Sequence, residues 1–480
     1  MTVSVRNTNP FVRYLLLTVM AATGISVFVF ACIKAVMLPF THDESLSYLL
    51  YVPMPVTDIT GYVNTYGLPN NHILNTLLMK FCAGVFGDST LSLRLPNLIA
   101  LVAYLYFGFR LLKKTSSSWL LLSGFLLLTS NLFATDFFSL ARGYGLANAL
   151  MLGAIYLLIA YNESPSWKKT VWLFIVCGLM ILANFTLLHV ALVIAGCYEI
   201  LRFRKERPVS FRGYMKIMQP ALWFFIIMAG VLYEPFRTII KWQTTFGGNE
   251  SFWADSVNPL LTDSIYTNNS FTWKPYVAFV VVVLLLVITA VTAMIFLRKK
   301  RSWLPLFFVL LIVPVLLFQI QHVLLGTQYP VSRTVQYLYP LFVIALVFAI
   351  DVTAEKINWF RFSLLPSALL LAVFFVMHYS TEYIPEWRYD SSNRAVLEDI
   401  EQLRKKEPKK IQVGVNWLFE PGLNYERKRK KYAWLQPLYR GSIDSACDYY
   451  YVTASDTAGM RARGRMLIRS YALSNTYLYR

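Results

Sequence analysis

Four consecutive residues, Thr41-His42-Asp43-Glu44, follow directly on the first long apolar run of this 480-residue chain. Adjacent carboxylates at the mouth of a membrane helix are costly to desolvate, so they face water or serve a purpose. Such a pair can take a proton or hold a cation. It also suits a helix start, with Thr41 or Asp43 as N-cap and acids in the first turn, and both readings stand. Arg142, in Ala141-Arg142-Gly143-Tyr144, follows Asp136 closely, which predicts an Asp136–Arg142 ion pair across a tight turn as an alternative to an active-site role. Arg333, in Tyr329-Pro330-Val331-Ser332-Arg333-Thr334, would snorkel to lipid phosphate or grip a substrate phosphate or pyrophosphate with its planar fork. His42, His72, His189, His322 and His378 all fall in segments that the charge pattern below places on one side. Imidazoles sit comfortably among lipid headgroups, but this clustering also fits a working surface on that side.

The chain that must position these residues is 56% hydrophobic and 15% charged, with a mean hydropathy of +0.49. Soluble domains are nearer a quarter charged, which speaks against an ordinary soluble enzyme. Apolar runs fall near 14–36, 93–112, 118–134, 141–161, 169–186, 187–203, 218–238, 275–297, 303–324, 335–351 and 361–379, predicting about eleven transmembrane helices. The first is about 34 Å long as a helix and reads as a retained anchor rather than a secretory signal. Arg6 and Arg13, Lys113 and Lys114, Lys168 and Lys169, Arg202, Arg204, Lys205 and Arg207, and Arg298, Lys299, Lys300 and Arg301 all land on one side, hence cytoplasmic. That bias accounts for much of the net charge of +19 without a nucleic-acid partner. The loops 37–92 and 239–274 then face outward. So does the tail, because the span count is odd.

Residues 1–380 form the membrane domain on this reading, and 381–480 a small extracytoplasmic α/β domain. Within the tail, Ser391 to Lys406 has helical spacing of Val396, Ile400 and Leu403, while Lys410–Val415 and Asp448–Thr453 read as strands. Asn70 to Phe86 is amphipathic, with Ile73, Leu74, Leu77, Leu78 and Phe81 on one face and His72, Asn75, Thr76 and Lys80 on the other. It predicts an interfacial helix. Leu93-Arg94-Leu95-Pro96 then opens the second span, with the proline expected in its first turn. The five cysteines have neither metal-ligand spacing nor a legible disulfide framework. No phosphate loop, dinucleotide fingerprint or H-E-x-x-H occurs, and no matched pair of broken spans, which disfavours pumps, nucleotide-sugar enzymes with a Rossmann domain, zinc proteases and transporters.

The order of these features resembles the GT-C membrane glycosyltransferases, in particular the protein O-mannosyltransferase-like and aminoarabinose-transferase-like branch. The residues that carry the resemblance are the Asp43-Glu44 pair, the interfacial helix, Phe86-Gly87-Asp88-Ser89-Thr90-Leu91-Ser92-Leu93-Arg94-Leu95-Pro96, Ala141 to Tyr144, Pro330 to Arg333 and Tyr339-Pro340-Leu341. Where those relatives often carry Lys or His before Pro-Pro, this chain has Asn70-Asn71-His72.

The resemblance covers about residues 10–380 and implies a sugar moved from a polyprenyl-phosphate donor to an acceptor hydroxyl on a glycan, lipid or protein. The setting would be the outer face of the inner (cytoplasmic) membrane. Asp43 is then the expected base, with desolvation raising its pKa, and one such base implies inversion. Glu44 is the second catalytic candidate. Arg333, Arg142 and His72 would hold the donor phosphate. Asp136, His42 and Asn71 would support the acceptor, or a divalent cation that the pattern permits without requiring. A lipid-linked sugar carrier or flippase, a membrane scaffold and a polysaccharide polymerase are the alternatives; a carrier would place its charges nearer mid-bilayer.

Overall fold

The computed structural model describes residues 9–63, 70–242, 247–265, 274–298, 302–404, 410–440 and 447–480. Arg6, Lys299, Lys300, Arg301, Lys405 and Lys406 lie outside them. The chain starts on α1 (Pro10–Met37), turns through α2 (His42–Leu46), a π-helical turn and α3 (Val56–Thr60), and reaches α4 (Ile73–Phe86) and α5 (Thr90–Leu112). Next come α6 (Ser118–Thr129), the single turn α7 (Leu132–Asp136), α8 (Gly143–Glu163), α9 (Trp167–Ala183) and α10 (Leu188–Glu206). The series α11 (Phe211–Trp242), α12 (Asn258–Ser264), α13 (Lys274–Leu297), α14 (Leu304–Leu325), α15 (Leu338–Ala354) and α16 (Leu365–His378) completes the membrane body. Between α11 and α12, β1 (Gly247–Gly248) pairs with β2 (Tyr329–Pro330), tying that segment to the Arg333 loop.

The chain is a polytopic α-helical membrane protein. Each of the eleven apolar runs forms a helix. Among the described residues, eight helical segments are long and apolar enough to cross a bilayer, while α6, α9 and α15 are shorter. The break after α6 has a local cause: Asn131 accepts the Ala134 N–H at 2.8 Å and starts a new turn. A similar correction applies to Pro96. The helix begins at Thr90, capped by Ser89, so the proline lies inside α5 rather than in its first turn. α8 packs between α5 and α9 and is mostly buried. α13, α11 and α16 present Phe279, Leu286, Ile227 and Leu370 outward, as helices solvated by lipid do.

α4 buries polar as well as apolar side chains. Asn75 and Thr76 point inward, where Asn75 donates to the Ala141 carbonyl (2.8 Å) and accepts from Asn97 (2.9 Å), while Phe81, Val85 and Phe86 are exposed. Water is not the solvent on that side, so Phe81, Val85 and Phe86 face outward while Ile73 and Met79 are buried with the polar pair.

After α16 the chain forms a small α/β unit. It contains α17 (Asn393–Arg404), β3 (Val413–Val415), α18 (Glu420–Arg429), β4 (Tyr449–Thr453), α19 (Thr457–Ala462), β5 (Leu467–Tyr471) and β6 (Thr476–Tyr479). The sheet order is β3-β4-β6-β5, with β3 parallel to β4 and the other pairs antiparallel. Val396, Leu397 and Ile400 of α17 pack with Val413, Leu423, Tyr451 and Leu478 in its core. The unit docks through α18, whose Tyr425 stacks on Phe40 with ring centroids 4.2 Å apart.

Candidate active site

α2 carries the acidic pair, and its start is built locally. The Thr41 N–H and hydroxyl both donate to Glu44 Oε2 at 3.0 Å, within the capping box that Thr-x-x-Glu spacing permits. Glu44 is fully buried and its second oxygen is also engaged. Arg94 donates Nε to Oε1 (2.8 Å) and Nη2 to Oε2 (2.6 Å), and the Ala141 N–H reaches Oε1 at 2.6 Å. The rest of the Arg94 fork caps the carbonyls of Ala35, Leu38 and Pro39 at 2.8–3.0 Å. Glu44 thus bolts α1, α2, α5 and the turn before α8 together, and its carboxylate does not face the site.

Asp43 turns the other way. Its Oδ2 lies 3.1 Å from Arg333 Nη2 and 3.4 Å from Arg142 Nη2. Arg142 also donates to Ser47 Oγ and the Asn70 carbonyl, each at 3.2 Å, and Asn70 Nδ2 donates to the Asp43 carbonyl at 2.9 Å. Arg333 forms a second ion pair with Glu386 and lies over the Trp387 ring, 5.1 Å from its centroid. Its loop is held in an unusual shape. Ser332 has φ +45°, which L side chains rarely adopt, and its hydroxyl donates to Asp263. Gly143, next to Arg142, is where α8 meets α9 and His72. A Cβ there would lie 2.0 Å from the Ala183 carbonyl oxygen and 2.7 Å from His72 Nδ1, so only glycine permits the approach.

The electrostatics correct the expected direction for Asp43. Burial pushes its carboxyl up, but Arg142 and Arg333 outweigh burial and hold it below its ordinary value. His72 moves down as well, well below the usual imidazole range, through burial and the nearby Arg142. Its Nδ1 lies 2.8 Å from the Ala183 carbonyl, which places a proton on Nδ1. Positive charge beside Asp43 comes from the two arginines.

The remaining candidates disperse. Asp136 does not meet Arg142 in the expected ion pair: it lies 2.5 Å from Lys34 Nζ, both side chains fully buried, beneath the Tyr379 ring. Asn71 donates to the Ile59 carbonyl (3.1 Å) and accepts from Thr76 (2.8 Å), a brace for the loop. His42 turns its ring to the Leu418 carbonyl (2.8 Å) and Trp417 in the C-terminal unit. His322 and His378 stack on Tyr329 and Phe374, and His189 lies tilted against Phe318. A groove of about 960 Å³ among α8 to α11 is lined by none of these residues.

No family model matches the sequence, and no curated protein does. Solved structures match by shape. The apo crystal structure of ArnT from Cupriavidus metallidurans superposes with a TM-score of 0.51 at 9% identity, covering 96% of this chain and 97% of that one. This chain has the GT-C fold. ArnT bound to undecaprenyl phosphate gives 0.46 at 9% identity over the same shares. The archaeal oligosaccharyltransferase AglB from Archaeoglobus fulgidus, with an inhibitory peptide and a dolichol-phosphate, gives 0.44 at 12% identity, over 91% of this chain and 70% of that one.

Within the GT-C fold, sequence reasoning passed over several groups at the Asp43 site. Glu386, Trp387, Tyr389 and Asp390 come from the segment just after the last membrane helix, assigned wholly to the tail. Their signal was an acidic and aromatic cluster where the chain leaves the bilayer. Lys34 was legible as a charge inside an apolar span, which needs a partner. Among the described residues no group of three or more His, Cys, Asp or Glu side chains gathers in one place. Glu44, Asp136 and His42 are each engaged separately, with Arg94, Lys34 and the Leu418 carbonyl.

Proposed function

We propose that this protein is a membrane glycosyltransferase that moves a sugar from a polyprenyl-phosphate donor to an acceptor hydroxyl, with inversion, on the extracytoplasmic side of the cytoplasmic membrane. The observation that carries the reading is Asp43 set between Arg142 and Arg333. A carboxylate set between two forked cations matches what displacement of a lipid phosphate needs. The donor phosphate lies on the arginines, the acceptor oxygen attacks the anomeric carbon, and the hydroxyl proton passes to Asp43. The bond from that carbon to the phosphate oxygen breaks, and the polyprenyl phosphate leaves on the arginines. One base acting on the face opposite the leaving group inverts the centre.

The low pKa of Asp43 fits this sequence of events. Without donor, the arginines spend their charge on Asp43 and keep it a weak base. A phosphate bound to them offsets that charge, and burial then lifts the carboxyl toward working pH. Base strength is thereby coupled to donor occupancy. The test is incubation of purified protein with radiolabelled polyprenyl-phosphate sugars and acceptor glycans, lipids and proteins. Labelled acceptor with released polyprenyl phosphate supports the reading. Intact donor that crosses a proteoliposome bilayer without being consumed would replace it with a carrier.

A further inference from the structure

Asp390 lies just after the last membrane helix, 348 residues from His42, yet its Oδ2 accepts the His42 backbone N–H at 2.7 Å. That N–H belongs to the first residue of α2, and the first N–H groups of a helix have no partner within it. Thr41 and Glu44 satisfy one another, whereas the His42 N–H, one residue from Asp43, is met from the C-terminal unit. Asn393 Nδ2 holds the other Asp390 oxygen at 2.8 Å, and Asp390 is only 2% exposed. The same unit grips His42 again through the Leu418 carbonyl, 2.8 Å from Nδ1. Gly422 leaves room for this docking: a Cβ there would stand 2.3 Å from Asn393 Nδ2.

Asp390 is a poor candidate for chemistry of its own. It is buried behind α2 and its contacts are a backbone N–H and an amide. Burial pushes its carboxyl well above the usual range, while the hydrogen bonds from His42 and Asn393 pull the other way. Its effect is on direction. α2 has five residues, too few to hold an orientation by itself, and Asp43 sits in its first turn.

We propose that Asp390 is a positioning residue, which caps α2 from the C-terminal unit and so fixes the Asp43 carboxylate between Arg142 and Arg333. This rests on the reading of Asp43 as the base. The C-terminal unit is accordingly part of the active site. A small misplacement of a reacting group costs on the order of a hundredfold in rate.

The test uses the full chain in lipid nanodiscs with Asp390→Ala, Asp390→Leu and Asp390→Asn. Leu keeps the bulk without the acceptor, and serves if Ala does not accumulate. Asn keeps an oxygen for the His42 N–H. The expected result is kcat reduced about ten- to a hundredfold in Ala and Leu, with the KM for donor within about twofold of wild type and activity restored in Asn. Hydrogen exchange of the 41–47 backbone should quicken in Ala and Leu and stay slow in Asn. Wild-type kcat and exchange in Leu would overturn the proposal, as would an Asn protein no better than Leu. Exchange needs no substrate. If it responds as expected while the wild type transfers no sugar, the capping of α2 stands and the chemistry assigned to Asp43 is what fails.

Discussion

Asp43, Arg142 and Arg333 form a charge triad whose members should respond differently to substitution. Asp43→Asn is expected to reduce kcat by on the order of a hundredfold to ten-thousandfold, with donor still bound, as measured by single-turnover transfer and donor retention. The acid limb of kcat/KM, which reports the free enzyme, should lie below the ordinary carboxylate range because the arginines lower Asp43. The limb of kcat, which reports the donor complex, should lie higher; coincident limbs would remove the coupling. The stability sign is the usual one for a depressed acid. Its contribution is present above the unfolded-state pKa and is lost as pH falls through the lower folded value. Arg333→Lys keeps charge and loses the fork, so donor KM should rise, and rise further in Arg333→Ala. Glu386 competes with the donor phosphate for the same guanidinium, so Glu386→Gln should lower donor KM. An unchanged KM in that variant would make Glu386 a bystander at the rim.

Elements hold the triad through buried polar bolts. The Glu44–Arg94 pair joins α2 to α5 and the end of α1, and removing one partner leaves the other charge uncompensated. Glu44→Gln is therefore expected to cost about 3–5 kcal/mol of stability. It should appear as lost thermal stability and yield. A Glu44→Gln protein that melts like wild type but transfers no sugar would return Glu44 to the chemistry expected from its place beside Asp43. The interfacial helix α4 works by the same logic: Asn75 links it to Asn97 of α5 and to the turn before α8.

At the scale of the whole molecule the chain has two polar ends. One holds Asp43, Arg142, Arg333 and the α/β unit. The other gathers basic loops, where Lys114 pairs with Glu163 at 2.5 Å and Lys205 donates to the Asn162 carbonyl at 2.6 Å. The proposed orientation, which rests on the positive-inside bias, puts the second end in the cytoplasm. Lys430→Cys, in the exposed tail of α18, should then react with an impermeant thiol reagent in intact cells, and Lys114→Cys only after permeabilisation. The reverse pattern would move the Asp43 site to the cytoplasmic side and withdraw the outer-leaflet donor.

The sequence alone located the apolar runs that form the membrane helices, eight of them long enough to cross a bilayer among the described residues, because long apolar runs have few other stable uses. It also brought Asp43, Arg142 and Arg333 into view, because charges beside apolar spans are too costly to be casual. α17 and the strands β3 and β4 were legible from the pattern. β5 and β6 were not: β5 is an edge strand that is mostly exposed and carries Arg469, so its alternation is weak. Partner choice was beyond reach. Nothing in the local pattern says that Asp136 meets Lys34, that Glu44 takes Arg94 while Asp43 takes two arginines, or that Asp390 caps a helix 348 residues away. The direction of the Asp43 pKa followed the same rule: burial was predictable from position, but the arginines that reverse it are neighbours only in the folded chain. Residue type and spacing specify how the backbone crosses the bilayer. Which charge faces which is decided where separate helix ends converge, and that is a property of the tertiary structure.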